Sequence, residues 1–136
     1  MGRTTPAVKR LDDGDSIADD EILYRVLAEE SWSTLEAGVR RVSSHAFKDT
    51  LTYETSCFLG SEKPVELLRR MFPGKHICQI TAGIARQAGF VVARAPEECN
   101  GDQSHVVLCP PSGLPRKQAD RLWAELSFAA TVVNDN

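Results

Sequence analysis

Apolar residues in this chain fall into short runs, and glycine, proline or acidic clusters stop each one before it approaches the roughly 18 residues a membrane helix needs. Runs of five to seven residues suit strands and short helices packed in layers, so tertiary burial must carry the stability. The first is Ile22-Leu23-Tyr24-Arg25-Val26-Leu27, bounded by acidic residues and compatible with a strand or a helical turn. From Thr52 to Leu59 the pattern alternates, with Tyr53, Thr55, Cys57 and Leu59 on one face and Glu54, Ser56 and Phe58 on the other, as a half-exposed strand requires. Strands are also predicted at His76–Thr81, Phe90–Ala95 and His105–Cys109, the first two joined by a short helical or turn segment containing Gly83 and Gly89. The apolar character of both faces of Phe90–Ala95 points to a central strand, and Asn100-Gly101 to a turn that pairs it with His105–Cys109 as an antiparallel hairpin.

Two segments have helical spacing. Val65, Leu68, Met71 and Phe72 recur within a stretch from about Glu62 to Phe72, with Ser61 as a candidate cap, Pro64 in the first turn and Pro73-Gly74 as the stop. Near the end, Ala119, Leu122, Trp123, Leu126, Ala129, Ala130 and Val133 form one apolar stripe, with Trp123 as its anchor. The expected fold is α+β, a mixed or mainly antiparallel sheet of about four to five strands packed by two amphipathic helices. Residues 1–18 hold an acidic, glycine-containing stretch with few large apolar groups and read as a disordered tail, leaving a single domain over residues 19–136.

A length of 136 residues supports one core without disulfides or a structural metal. Nineteen acidic residues against 16 basic ones give a net charge of -3, and the basic pairs Arg40-Arg41 and Arg69-Arg70 fall short of a phosphate-binding stripe, so no nucleic-acid partner is expected. The amino terminus lacks the basic-then-apolar profile of a secretory signal, and Cys57, Cys78, Cys99 and Cys109 are loosely spaced. The expectation is a cytoplasmic protein with four reduced thiols and no membrane association.

Common catalytic signatures are absent. No two glycines lie two apart, which removes the dinucleotide fingerprint, and Gly74-Lys75 lacks the upstream glycine of a phosphate loop. There is no G-x-S-x-G, H-E-x-x-H or C-x-x-C pattern. His76 with Cys78 and His105 with Cys109 could supply a tetrahedral zinc set if their strands were neighbours; strand cysteines more often act as small buried hydrophobes, so no metal and no cofactor are expected.

Four polar residues stand out against their surroundings. Arg25 lies inside an apolar run and needs an ion partner or an anion. Ser44 and His45 belong to the hydroxyl-rich segment Arg41–Asp49, in which Ser43 and Ser44 can tie down a turn and Phe47 can enter the core. His105 opens a strongly apolar strand after a polar loop. A shared surface of Arg25, Ser44, His45 and His105 would make the chain a protein-interaction or accessory module with another protein as partner; the alternative is a small enzyme using the same residues on a nucleotide-like or amide substrate.

The strings Leu23-Tyr24-Arg25, Arg41-Val42-Ser43-Ser44-His45-Ala46-Phe47-Lys48-Asp49, Ala82-Gly83 and Ser104-His105-Val106-Val107 resemble a group of short uncharacterised bacterial proteins over most of residues 20–132. Tyr53 and Glu54 depart from that pattern, where a small hydroxyl and an aliphatic residue would stand. The resemblance implies a bacterial source and no particular activity. Arg25 with Ser43 and Ser44 is also similar to the dinucleotide-holding pair of small NAD-cleaving or ADP-ribosyl-transferring domains, but neither Glu97 nor Glu98 stands where that chemistry needs its glutamate.

Overall fold

The computed structural model describes residues 4–5, 10–48 and 53–133. Among these residues eight strands and three α-helices follow in the order β1 (Ile22–Leu27), β2 (Ser33–Glu36), β3 (Val39–Val42), β4 (Thr55–Leu59), α1 (Val65–Met71), β5 (His76–Thr81), α2 (Ala82–Gln87), β6 (Val91–Arg94), β7 (His105–Cys109), α3 (Arg116–Ala129) and β8 (Thr131–Val132). Six strands form one sheet in the order β6-β7-β4-β1-β5-β8, antiparallel throughout, while β2 and β3 form a separate hairpin. The fold is α+β as the pattern predicts. Its sheet is larger than four to five strands, and a third helix, α2, joins β5 to β6.

Period-two alternation puts Leu23, Arg25, Leu27, Cys57, Cys78 and Ile80 on one face of the sheet. The apolar members of that set pack with Ala82 and Ala85 of α2 and with Ala119, Trp123 and Leu126 of α3 in the main core. The opposite face carries Phe58 and Ile77, covered by Leu68 of α1. Trp123 is 1% exposed and its ring meets Tyr53 at 5.7 Å, so the last helix is anchored where its stripe predicts.

Sequence pattern and observed position part at several places. β6 is an edge strand, not a central one. Its two-sided apolarity arises because both faces are covered, Val92 in the main core and Ala93 in a smaller cluster with Val107 and Cys109. The predicted β6–β7 hairpin does form, with Val92 opposite Leu108. Ser61 donates to Glu21 Oε1 at 2.5 Å instead of capping, and α1 starts after Pro64. The β4 strand begins at Thr55, and its expected start at Thr52 lies outside the described residues. Nothing in the polar 33–42 stretch signalled a hairpin except its turn, where Ala37 (φ 50°) and Gly38 (φ 81°) take the two left-handed positions a two-residue hairpin needs.

The segment expected to be a tail is docked wherever it is described. Ile17 lies in the main core. Thr5 bonds to Pro111 O and to the Leu114 amide, and Arg10 pairs with Glu54, Glu97 and Glu98. Asp12 and Asp13 run along β6: the Asp13 amide donates to Val92 O, the Val92 amide donates to Asp12 Oδ2 at 3.0 Å, and the Arg94 amide donates to Asp13 Oδ2. The acidic cluster that made this stretch look disordered supplies acceptors for the free edge of the sheet, so the folded unit begins before residue 19. Among the described residues no helix is long and apolar enough to cross a membrane.

Candidate functional site

The four residues singled out by sequence do not converge. Arg25 is 7% exposed on the α3 side of β1. Its Nε donates to Ala46 O and its guanidinium to Ser56 O, both at 2.8 Å, and the cation lies 4.6 Å from the centre of the Trp32 ring and 5.5 Å from that of Phe47. Carbonyls and ring faces therefore meet this buried charge, and the side chain ties β1 and β4 to the turn after β3. His105 is 4% exposed on the opposite sheet face, where its Nδ1 and Ala95 O lie 2.8 Å apart and its ring meets Phe58 edge-on at 5.8 Å. A sheet one strand thick separates the two, so no single ligand touches both.

Ser44 and His45 are exposed at the turn that Arg25 holds from beneath. Around them Ser43 Oγ donates to Ser31 O at 2.7 Å, the Ala46 amide donates to Ser43 O, and Phe47 is buried in the core. This is the structural reading of the segment, except at Asp49, which lies outside the described residues. The surface proposed from sequence thus reduces to Ser44 and His45 beside a buried support, Arg25; His105 does not share it.

The cysteine and histidine pairs also divide between faces. Cys78 belongs to the main core, while Cys109 and His105 lie on the other side of the sheet. Among the described residues no three histidine, cysteine or acidic groups are placed to hold a metal. Burial pushes the Cys57 and Cys78 thiols up to about 12 against the opposing pull of the Arg25 charge. Burial, reinforced by Glu54, likewise raises Cys109 to about 12. Such thiols are poor nucleophiles near neutrality.

A second polar cluster supports the loop before β7. Lys63 pairs with Asp102 and lies 4.7 Å from the centre of the Phe58 ring, and Ser104 Oγ donates to Asp102 Oδ1 at 2.5 Å. Burial works against the Asp102 carboxylate, yet the Lys63 and Ser104 hydrogen bonds outweigh it and hold the group at about 2. A carboxyl so acidic is a weak base, so the trio fastens the loop rather than activating Ser104.

Among the described residues an accessible cleft of about 970 Å³ lies between the β2–β3 hairpin and the end of α3 with β8. Thr34, Glu36, Val39 and Arg41 lie on the hairpin face turned away from the buried pair Ser33 and Val42, and they line one wall. Phe128, Ala130, Thr131 and Val132 line the other, and Ser43 and Ser44 close one end. Phe128 is 78% exposed and Val39 is 52% exposed. Arg41 reaches Glu36 at 3.4 Å as an exposed pair, and Arg40 donates to Ser33 Oγ at 3.3 Å. Phe128 could have been suspected from sequence, because it is the large apolar residue of the last helix that falls outside the stripe through Trp123 and Leu126. The opposing wall could not, since its polar hairpin has no hydrophobic period.

Fold and cleft together define a single α+β domain with a wide, partly apolar recess at one sheet edge. No family model, no curated protein and no solved structure matches the chain.

Proposed function

We propose that this chain is a protein-interaction module and that its working surface is the cleft between the β2–β3 hairpin and the end of α3. The observation that carries the reading is Phe128, a large apolar side chain 78% exposed on the wall of a recess of about 970 Å³. Aromatic groups held at the rim of a pocket are typical anchors of protein recognition. Ser44 belongs to this surface, with His45 next to it in sequence, and Arg25 serves it by holding their turn. The enzyme alternative receives less support, because Arg25 and His105 are buried on opposite faces of the sheet. The setting we propose is bacterial and cytoplasmic, in keeping with four free cysteines, three of them buried.

A displayed library of random peptides, selected against the full chain, tests the reading. Selected peptides should lose binding to Phe128→Asp and keep it with Leu11→Asp, a control at another highly exposed apolar residue. Selection of no peptide, or of peptides indifferent to Phe128→Asp, would overturn it.

A further inference from the structure

An edge strand offers a row of amides and carbonyls that can template another chain, and the main sheet covers its two ends differently. At one end the β2–β3 hairpin runs alongside β8 and leaves no room for a further strand. At the other end the cover on β6 is the segment 10–13. The Ala95 amide donates to His105 O on β7, so alternation turns the Ala93 groups toward β7 and those of Val92 and Arg94 outward. There the Asp13 amide donates to Val92 O at 2.9 Å, and the carboxylates of Asp12 and Asp13 accept from the Val92 and Arg94 amides. The backbone of the segment thus stands where a neighbouring strand would run, and a strand replacing it needs only the room it vacates.

Its hold on β6 differs from that of a strand. None of residues 10–13 is buried, and Leu11 is 88% exposed. Arg10 pairs with Glu54, Glu97 and Glu98, and Arg86 of α2 pairs with Asp12 at 3.0 Å and, beyond the segment, with Asp19 at 2.8 Å. The firmer anchors lie to either side, in the hydrogen bonds of Thr5 and the buried Ile17. Residues 10–13 can therefore leave β6 while Ile17 stays in the core, opposed mainly by ionic contacts between partly exposed groups that salt screens. The edge so uncovered is self-complementary. With a two-fold axis at Ala93, Val92 of each copy meets Arg94 of the other, and both outward amides and both outward carbonyls of each copy find partners. Arg94 brings no unpaired charge to that seam, since it pairs with Glu62 at 2.8 Å.

From these features we infer that residues 10–13 are a displaceable strap standing in for a partner strand, and that the strand it excludes is β6 of a second copy of this chain. The chain is a monomer while the strap is seated and pairs β6 to β6 when the strap lifts. This surface is separate from the cleft beside Phe128.

The test uses the full chain. In amide hydrogen exchange on dilute protein, going from low to high salt should speed Val92 and Arg94 by at least about three-fold and leave the Ala93 amide, which faces β7, unchanged. Asp12→Ala with Asp13→Pro removes the hydrogen bonds of the strap to β6 and suits the φ of -78° already present at position 13. This variant should sediment as a dimer where the native chain in low salt is a monomer. A sample mixing isotope-labelled and unlabelled variant should show an Hα–Hα contact between Ala93 of the two copies. Exchange at Val92 and Arg94 that ignores salt would overturn the strap. A folded variant still monomeric at millimolar concentration, or a dimer without the Ala93 contact, would overturn the second copy as its replacement. Should the variant fail to fold, the native chain in high salt decides: a dimer with the Ala93 contact upholds the inference, and a monomer overturns it.

Discussion

Deleting residues 1–18 should destabilise the domain well beyond the effect of trimming a tail. Ile17 is fully buried in the main core, and removing such a side chain costs about 2 to 4 kcal/mol once the cavity it leaves is included. Thr5 contributes part-buried hydrogen bonds to residues 111–114, each worth about 1 kcal/mol net. The partly exposed ion pairs of Asp12 with Arg86 and of Arg10 with its carboxylates add at most about 1 kcal/mol apiece. The sum is roughly 4 to 7 kcal/mol, a large part of the roughly 5 to 15 kcal/mol typical of a domain. Each kcal/mol moves the melting temperature of a chain this size by about 3 to 5 °C, so a fall of at least about 12 °C is expected in thermal denaturation followed by circular dichroism. Ile17→Ala alone should reproduce about half of it. A deletion variant melting within about 2 °C of the intact chain would refute the docked arrangement, because no core residue can be removed so cheaply.

Asp102, held at about 2 against a usual 3.8, should contribute stability that is fully present above pH 4 and lost as pH falls from about 4 to 2. Denaturation across that window should show the acid-side loss in the native chain, and Asp102→Asn should remove it while lowering stability at pH 7. Trp123→Ala should cost roughly 3 to 5 kcal/mol by urea denaturation. Trp123→Phe should cost less than half as much, because the buried Trp123 Nε1 finds no hydrogen-bond partner among the described residues and phenylalanine relieves that desolvation. Native-state thiol titration at pH 8 should read one fast cysteine, Cys99, with Cys57, Cys78 and Cys109 reacting only on unfolding; rapid labelling of all four would contradict their burial.

Apolar patterning with its bounding turn residues was enough to place β4, β5, β7, α1 and α3, and to make Trp123 the anchor of the last helix, while the run that forms β1 fitted a strand and a helical turn alike. One-sided burial imprints a period near 3.6 on α3, whereas β7 is buried along its whole length and reads as a continuous apolar run. Strand order carries no such imprint. Long-range pairing put β6 at the edge and converted the acidic run around Asp12 and Asp13 from an apparent tail into a cover for that edge. The same limit governed the site. Arg25 and His105 each read as a polar group needing a partner, and each has one, but the faces they occupy follow from strand register, which no local spacing records. The cleft beside Phe128 is a meeting of a polar hairpin with the end of a helix some 90 residues away in sequence. Only the folded chain brings those walls together, because their proximity comes from the packing of the elements between them rather than from any residue within either wall.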